Sequence, residues 1–166
     1  VAISRTASDL ESLKSETGYK THTFDIANSA ELRNVVRGMT SADGLVNCAG
    51  INILEPFLEV TEEAFDLIYA INTKAAMVAA QEFSRTLIAA NRGGAIVNVS
   101  SMSSFVGFTD HTSYCASKGA MDAMSRVMAN ELGPYGIRVN CINPIVTMTE
   151  LAAEASQPLA LLLAQS

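Results

Sequence analysis

Short apolar runs alternate with longer segments of helical periodicity along the whole chain. The apolar runs predict strands over residues 1–4, 20–26, 44–50, 94–101 and 137–144. The segments between and after them predict helices over residues 8–16, 28–38, 61–91, 112–132 and 150–164. A helix between two strands makes a crossover connection, and crossover connections join parallel strands. The alternation therefore predicts an α/β chain built on a parallel sheet.

Cap signals mark the ends of two of these helices. Ser8 and Glu11 have the spacing of a capping box at the start of the first helix. Asn28 or Ser29 is placed to cap the second helix, and Gly38 is placed to end it. The local chemistry thus agrees with the periodicity about where these helices lie.

The runs GLVN at 44–47 and AIVNV at 95–99 are almost continuously apolar. Runs of this kind are typical of strands that are buried on both faces by layers of helices. No repeat, linker or low-complexity segment divides the chain. We therefore predict one domain over residues 1–166, a doubly wound parallel sheet in a three-layer αβα arrangement.

Composition and charge exclude several classes of protein. The net charge of -6 argues against a nucleic acid as the main partner, because phosphate binding needs a basic surface. No apolar stretch reaches the roughly 18 residues of a membrane-spanning helix. The three cysteines, Cys48, Cys115 and Cys141, form no CxxC pair and no metal-ligand spacing. They predict free thiols in a reducing, cytoplasmic compartment, or simply small apolar side chains in the core.

Tyr114 and Lys118 are the first candidates for chemistry. Residues four apart lie on one face of a helix, so the ammonium is placed one turn beyond the phenol. A nearby ammonium favours the phenolate and lowers the pKa of a tyrosine, which could then exchange protons with an alcohol or carbonyl oxygen. Such a pair also arises by chance on exposed helices. The segment NVSSMSS, which contains Ser101, lies at the carboxyl end of the predicted strand at 94–101 and offers a hydroxyl where ligands bind in such sheets. It could equally be a polar loop.

These residues together resemble the short-chain dehydrogenase/reductase family. The resemblance rests on the spacing Ser-x12-Tyr-x3-Lys, on NCAG at 47–50, on an asparagine in INTKA, and on NP after the next strand. It extends from Val1 to about Thr149. Within the family, SRTASDLESL, EPFLEVTEEAF and YCASKGAMD are similar to the branch of L-xylulose (dicarbonyl) reductases and sugar-alcohol dehydrogenases.

The resemblance implies a role for each residue of the set. Tyr114 would be the acid and base, and Ser101 would orient and polarise the substrate carbonyl. Lys118 would lower the tyrosine pKa and hold the nicotinamide ribose. Asn72 would hold a water that relays protons from Lys118. The alternative is that Asn72 lies inside a helix and its amide only hydrogen-bonds the backbone. His111 would contact substrate, or it is a surface or capping residue.

A cofactor site is implied at the ends of the other strands. Ser4, Arg5 and Thr6 stand where an acidic residue normally takes the ribose hydroxyl of NAD, so the guanidinium favours NADP(H) over NAD(H). A helix cap with a surface arginine is the alternative. The remaining positions are Asp25 and Ile26 for adenine, Asn47, Ala49 and Gly50 for its ribose, and Pro144, Thr147 and Thr149 for the carboxamide and pyrophosphate. Asp25 could instead cap a helix. Ile145 stands where the family usually has glycine.

Two departures from the family shape the remaining expectations. No G-x-G-x-x-G cluster is present, and the chain begins within what would be the second strand of the family fold. We therefore expect the fold to be incomplete at both ends and the sequence to be part of a larger protein. The expected function is NADP(H)-dependent interconversion of a carbonyl and a secondary alcohol, on a sugar, polyol or dicarbonyl. The alternatives are an NAD-dependent sugar-alcohol or hydroxysteroid-type dehydrogenase, and a non-catalytic protein of the same fold.

The two long helices carry more apolar surface than contact with a sheet would use. In the resembling family these helices pair across a two-fold axis, which implies a homodimer or homotetramer. The same apolar residues could also belong to an ordinary core.

Overall fold

The computed structural model describes residues 1–145, in which parallel strands and helices alternate. The strands are β1 (Ala2–Ser4), β2 (Thr21–Thr23), β3 (Gly44–Asn47), β4 (Gly94–Val99) and β5 (Ile137–Ile142). The α-helices are α1 (Ala7–Thr17), α2 (Ser29–Arg37), α3 (Glu62–Tyr69), α4 (Ala75–Ala89) and α5 (Thr112–Leu132). A π-helical turn, Ala70–Lys74, joins α3 to α4. The predicted α/β class with parallel strands is confirmed, and the last predicted helix, 150–164, lies outside the described residues.

The strands form two sheets. β1 pairs with β2, and β4 lies between β3 and β5 in a second sheet, with every pair parallel. Within residues 1–145, β1 and β3 are not hydrogen-bonded to each other. The single parallel sheet predicted from the sequence is therefore divided between these two strands. In the second sheet Asn47, Asn98 and Cys141 stand side by side in register.

The main core lies on one face of the second sheet. Helices α2 and α4 and the C-terminal part of α5 pack there against side chains of β4 and β5. Its buried members from the strands are Ile96, Ile137 and Val139, and those from α4 include Val78, Phe83 and Leu87. On β3, Val46 is 64% exposed. The expectation that these strands are covered on both faces is therefore met on one face only among residues 1–145.

The cap predictions had different outcomes. Asn28 caps α2, because its side chain accepts a hydrogen bond from the backbone N–H of Glu31 at 3.3 Å. The capping box at Ser8 is wrong: α1 already begins at Ala7, with Thr6 as its N-cap, so Ser8 lies inside the first turn. The extent of α5 is as predicted, and the long helix at 61–91 is present with the π-helical turn in its middle. No helix in the described part of the chain is long and apolar enough to cross a membrane.

Candidate active site

The candidate catalytic residues converge at the carboxyl end of β4. Ser101 lies two residues after the end of this strand, Tyr114 and Lys118 lie on α5, and Asn72 lies in the π-helical turn. Asn72, Lys118 and Ser101 are buried, and Tyr114 is half-buried. Parallel strands end at the same edge of a sheet, so a residue that follows β4 is brought against helices that begin at that edge. The fold thus assembles four side chains that lie up to 46 residues apart in the sequence.

The ammonium of Lys118 lies over the ring of Tyr114, with Nζ 5.5 Å from the ring centroid. The same Nζ donates a hydrogen bond to the backbone oxygen of Val99 at 2.8 Å. Lys118 is only 3% exposed, and this burial lowers its pKa. An ammonium has three donors, so two remain for a ligand beyond the bond to Val99.

The pKa of Tyr114 differs from the sequence expectation. Burial of the phenol raises its pKa, and hydrogen bonding with Ser101 lowers it by less, so the pKa stays above its ordinary value. The sequence predicts a lowered pKa because of Lys118. The ammonium lies over the ring face and is bonded to Val99, so desolvation of the phenolate outweighs any help from the neighbouring charge.

The hydroxyl of Ser101 is oriented by its own loop. Its Oγ accepts a hydrogen bond from the backbone N–H of Ser103 and is hydrogen-bonded to Ser103 Oγ, both at 3.1 Å. The short 3-10 turn Met102–Ser104, which Ser101 caps, creates these contacts. The serine is therefore held beside Tyr114, at 9% exposure, in one orientation.

Asn72 connects the π-helical turn to the loop after β3. Its Oδ1 accepts from the backbone N–H of Ile51 at 2.8 Å, and its Nδ2 donates to the oxygen of Ile51 at 2.9 Å and to Ser117 Oγ at 3.1 Å. Both amide hydrogens are thus used within the protein. π-Helical turns are rare and often occur at functional sites. The water relay assigned to Asn72 remains a prediction.

His111 lies where a substrate contact was predicted, next to Tyr114. Its ring centroid is 6.3 Å from that of Tyr114, in an edge-on arrangement. Nδ1 is 2.6 Å from the oxygen of Thr109, so this nitrogen carries a hydrogen and Nε2 is the acceptor of the neutral ring. His111 also stands at the N-cap of α5 without capping it through its side chain. Its role toward substrate remains a prediction.

The residues predicted to hold the 2′-phosphate and the adenine lie at or just after the ends of β1 and β2, respectively. Ser4 Oγ accepts from the backbone N–H of Thr6 at 3.1 Å, which shapes the turn. Arg5 is exposed, and its Nη1 is 4.0 Å from Asp25 Oδ2. Asp25 Oδ1 in turn accepts from the backbone N–H of Ala27 at 2.9 Å. Asp25 therefore organises the turn before α2, but it is not the helix cap that the sequence offered as the alternative, because Asn28 caps α2.

The turn after β3 combines a structural asparagine with two exposed small residues. Asn47 Nδ2 donates to Asn98 Oδ1 at 2.8 Å, so this predicted ribose contact is engaged in the sheet. Ala49 and Gly50 are exposed. A Cβ on Gly50 would lie 3.4 Å from Asn72 Oδ1 and 3.6 Å from Lys118 Nζ, so a larger residue would crowd the catalytic cluster.

The remaining predicted cofactor contacts fall into two groups. Ile26 is half-buried and packs against the core beside Asp25. Pro144 is exposed after β5, and its oxygen accepts from the backbone N–H of Met102 at 3.1 Å. Thr147 and Thr149 lie outside the described residues.

The predicted positions along this edge offer three features that a nicotinamide dinucleotide needs. The exposed Arg5 lies at one end, and the small residues Ala49 and Gly50 lie in the middle. At the other end, the buried ammonium of Lys118 has two donors beyond its bond to Val99. These are the features that a phosphate, a closely approaching sugar and a ribose diol require.

Sequence reasoning missed two polar groups behind the site. Asn98 Nδ2 donates to Ser125 Oγ on α5 at 2.7 Å, inside the core. Asn143 and Asp122 form a second group beside Ser101, with Asn143 Nδ2 2.9 Å from Asp122 Oδ2. The periodicity of α5 could have indicated Asp122, because it follows Tyr114 by two turns and Lys118 by one on the same helix face.

A family model described as short chain dehydrogenase matches residues 1–160 of the sequence. The chain belongs to this family. Among curated relatives, L-xylulose reductase from Bos taurus is 46% identical over 156 residues, which are 93% of this chain and 64% of that protein. Carbonyl reductase (NADPH) 2 from Sus scrofa is 38% identical over 152 residues, 91% of this chain and 62% of that protein. The predicted family and its nearest branch are confirmed.

Solved structures agree with this assignment. The crystal structure of a protein from Beutenbergia cavernae, with NADP bound at low occupancy, has a TM-score of 0.85 and 29% sequence identity to this chain. The match covers 94% of this chain and 65% of that one. The present chain thus spans a little under two thirds of the length of the curated relatives named above.

Proposed function

We propose that this protein is an NADP(H)-dependent oxidoreductase that interconverts a carbonyl and a secondary alcohol. The observation that carries the proposal is the convergence of Ser101, Tyr114 and Lys118 at one strand end, with the ammonium over the phenol ring. When bound, the nicotinamide supplies or takes up the hydride. The remaining chemistry, binding the oxygen and moving one proton, belongs to this chain's own side chains.

Each side chain has a part in that proton transfer. The Ser101 hydroxyl, which donates to Ser103 Oγ in this structure, would turn its hydrogen to the carbonyl oxygen and stabilise the negative charge that develops on it. The phenol of Tyr114 gives its proton to the same oxygen during reduction and takes it back during oxidation. The raised pKa keeps this phenol protonated at neutral pH, which suits reduction. Lys118 holds its positive charge below the ring and favours the phenolate once the proton has left.

We propose that the dinucleotide lies along the carboxyl ends of the strands. Arg5, with Ser4 and Thr6, would hold the 2′-phosphate, and Ala49 and Gly50 would let the ribose approach the backbone. The free donors of Lys118 would bind the nicotinamide ribose. The named relatives, an L-xylulose reductase and an NADPH carbonyl reductase, support a ketose or dicarbonyl as substrate.

The test of this function is oxidation of NADPH by the purified protein with L-xylulose, a dicarbonyl such as diacetyl, and a steroid ketone as alternative substrates. Turnover with L-xylulose or diacetyl supports the proposal. Turnover with the steroid alone would contradict the substrate class, and no turnover with any of them would favour a non-catalytic protein of the same fold.

Replacing Arg5 by Asp tests the preference for NADPH. We expect the KM for NADPH to rise about 10- to 100-fold, because the exposed guanidinium is lost and a carboxylate repels the 2′-phosphate. The KM for NADH should fall or stay the same. Lys20→Asp is the matched control, because it makes the same charge change at the opposite end of the β1–β2 sheet. An unchanged ratio of the two KM values in Arg5→Asp would favour an NAD-dependent dehydrogenase.

We further propose that the protein is cytoplasmic and forms a homodimer or homotetramer. Support for assembly comes from exposed apolar side chains on the long helical segments, among them Leu67, Met77 and Val127. The three cysteines are free thiols, as a reducing compartment would keep them. Light scattering during size-exclusion chromatography should give two or four times the chain mass, and a monomer at all concentrations would contradict the assembly.

A further inference from the structure

We propose that Asp122 is a positioning residue: it orients the side-chain amide of Asn143, which in turn fixes the backbone of Ser101. This inference rests on the proposed function, since it concerns the serine that would polarise the substrate carbonyl. Asp122 and Asn143, here called the amide clamp, link three elements: the loop after β4, the end of β5 and the middle of α5.

The contacts of Asn143 define the orientation of its amide. Nδ2 lies 3.1 Å from the backbone oxygen of Ser101, 2.9 Å from Asp122 Oδ2 and 3.0 Å from Ser104 Oγ. A backbone carbonyl and a carboxylate can only accept hydrogen bonds. The nitrogen of the amide must therefore face them, because a flipped amide would place its oxygen against two other oxygens.

Asp122 stays ionised at the centre of this cluster. Burial raises its pKa, but hydrogen bonding, in which the amide of Asn143 makes the direct contact, outweighs the burial, so the pKa of the carboxyl lies below its ordinary value. The charge makes its hydrogen bond with the amide stronger than a neutral one. Asp122 also raises the pKa of Lys118, one turn away on the same helix, although burial lowers that pKa overall.

The clamp acts on the segment that carries the catalytic hydroxyl. The backbone N–H of Ser100 donates to Ile142 at 2.8 Å, and that of Met102 donates to Pro144 at 3.1 Å. Between these two bonds, the side chain of Asn143 adds a third, from its Nδ2 to the backbone oxygen of Ser101. Tyr114 comes from α5, so the distance between the serine and tyrosine hydroxyls depends on how the loop is fixed to this helix. The carboxylate of Asp122 is the α5 partner of that connection.

Replacing Asp122 by Ala should lower kcat about 10- to 100-fold, because a displaced group about 1 Å from its productive position costs up to that factor. The KM for NADPH should change less than kcat, since Arg5 follows β1, in the other sheet. Asp122→Asn should keep most of the activity, because its amide oxygen can still accept from Asn143. Asn143→Asp is isosteric but cannot donate, so it should lose at least as much as Asp122→Ala. Glu131→Ala, an exposed position on the same helix, is the control.

A second comparison tests whether Asp122 acts through Ser101. In a Ser101→Ala background, Asp122→Ala should cause little further loss of kcat, because the hydroxyl that it positions is gone. The same fold-loss in both backgrounds would overturn the proposal. A purely structural role of Asp122 would produce that result.

Hydrogen exchange tests the clamp without any activity. The backbone N–H of Ser103 donates to Ser101 Oγ, so it reports on the order of this loop. We expect its exchange to be about tenfold faster in Asp122→Ala and Asn143→Asp, and unchanged in Glu131→Ala. Unchanged exchange in Asn143→Asp would overturn the proposal, and this variant serves for both measurements if Asp122→Ala does not fold. If the wild-type protein is inactive, only the proposed function is contradicted. The hydrogen-exchange experiment needs no activity and still tests whether the amide clamp orders the loop.

Discussion

Replacing Tyr114 by Phe is expected to lower kcat for carbonyl reduction by about 10²- to 10⁴-fold, the range that a positioned general acid contributes. The change removes one hydroxyl and keeps the ring that lies 5.5 Å from Lys118 Nζ, so the packing of α5 is preserved. The KM for NADPH should change little. Steady-state kinetics with the best ketose or dicarbonyl substrate measures this effect.

Tyr69→Phe is the matched control for Tyr114→Phe. Tyr69 also loses a single hydroxyl, and its ring stacks on Phe65 in α3, outside the catalytic cluster. The control should retain normal kcat. A Tyr114→Phe protein with normal turnover would show that the phenol is not the acid. That result would favour a non-catalytic role of the chain.

The pH dependence follows from the direction of the Tyr114 pKa. Burial raises this pKa, and reduction needs the protonated phenol, so the rate of reduction should stay level through the neutral range. It should fall only as the pH rises above the ordinary pKa of a tyrosine, whereas alcohol oxidation should still be increasing there. A fall in reduction just above neutral pH would mean that Lys118 lowers the pKa after all, as the sequence alone suggested.

Replacing Glu82 by Gln is expected to lower the free energy of unfolding by about 2 to 3 kcal/mol. Glu82 lies on α4, is 3% exposed, and contacts two arginines of α2. Its Oε1 lies 2.7 Å from both Arg33 Nη1 and Arg85 Nη1, and its Oε2 lies 3.1 Å from Arg37 Nη2. Removing the charge leaves three guanidinium groups facing one another, but they are partly exposed and can be hydrated. The loss of unfolding free energy is therefore smaller than for a fully buried cluster of ion pairs.

The effect of Glu82 should depend on pH. Burial raises the pKa of this carboxyl, but hydrogen bonds from Arg33 and Arg37 and the arginine charges outweigh it, so the pKa is lowered. A lowered pKa in the folded state stabilises the protein above the pKa of the unfolded state. The contribution is lost as the pH falls through the folded-state pKa. The difference between wild type and Glu82→Gln should therefore be largest at neutral pH and shrink in acid.

Urea unfolding at neutral and acid pH measures this difference. Glu131→Gln is the control, because Glu131 is exposed near the end of α5, and we expect its effect to stay below about 0.5 kcal/mol. Equal stability of Glu82→Gln and wild type at neutral pH would show that the arginine contacts contribute nothing net.

The features that could be predicted from the sequence are local. The extent of α5, the position of Tyr114 and Lys118 on one face, and the cap at Asn28 depend on residues three or four apart, and the sequence displays that spacing directly. The position of Ser101 in the site could be predicted because this residue stands near the end of one strand. The family follows from the order of these motifs, and the family match agrees with it.

The tertiary structure decided what depends on distant neighbours. The direction of the Tyr114 pKa is set by desolvation, which requires knowing what covers the ring. The amide clamp joins Ser101 to Asn143, 42 residues further along the chain. The engagement of Asn47 by Asn98 and the division of the strands into two sheets likewise depend on which strands lie side by side. Periodicity and caps report only contacts within one element, whereas burial and cross-element hydrogen bonds exist only once the elements have packed.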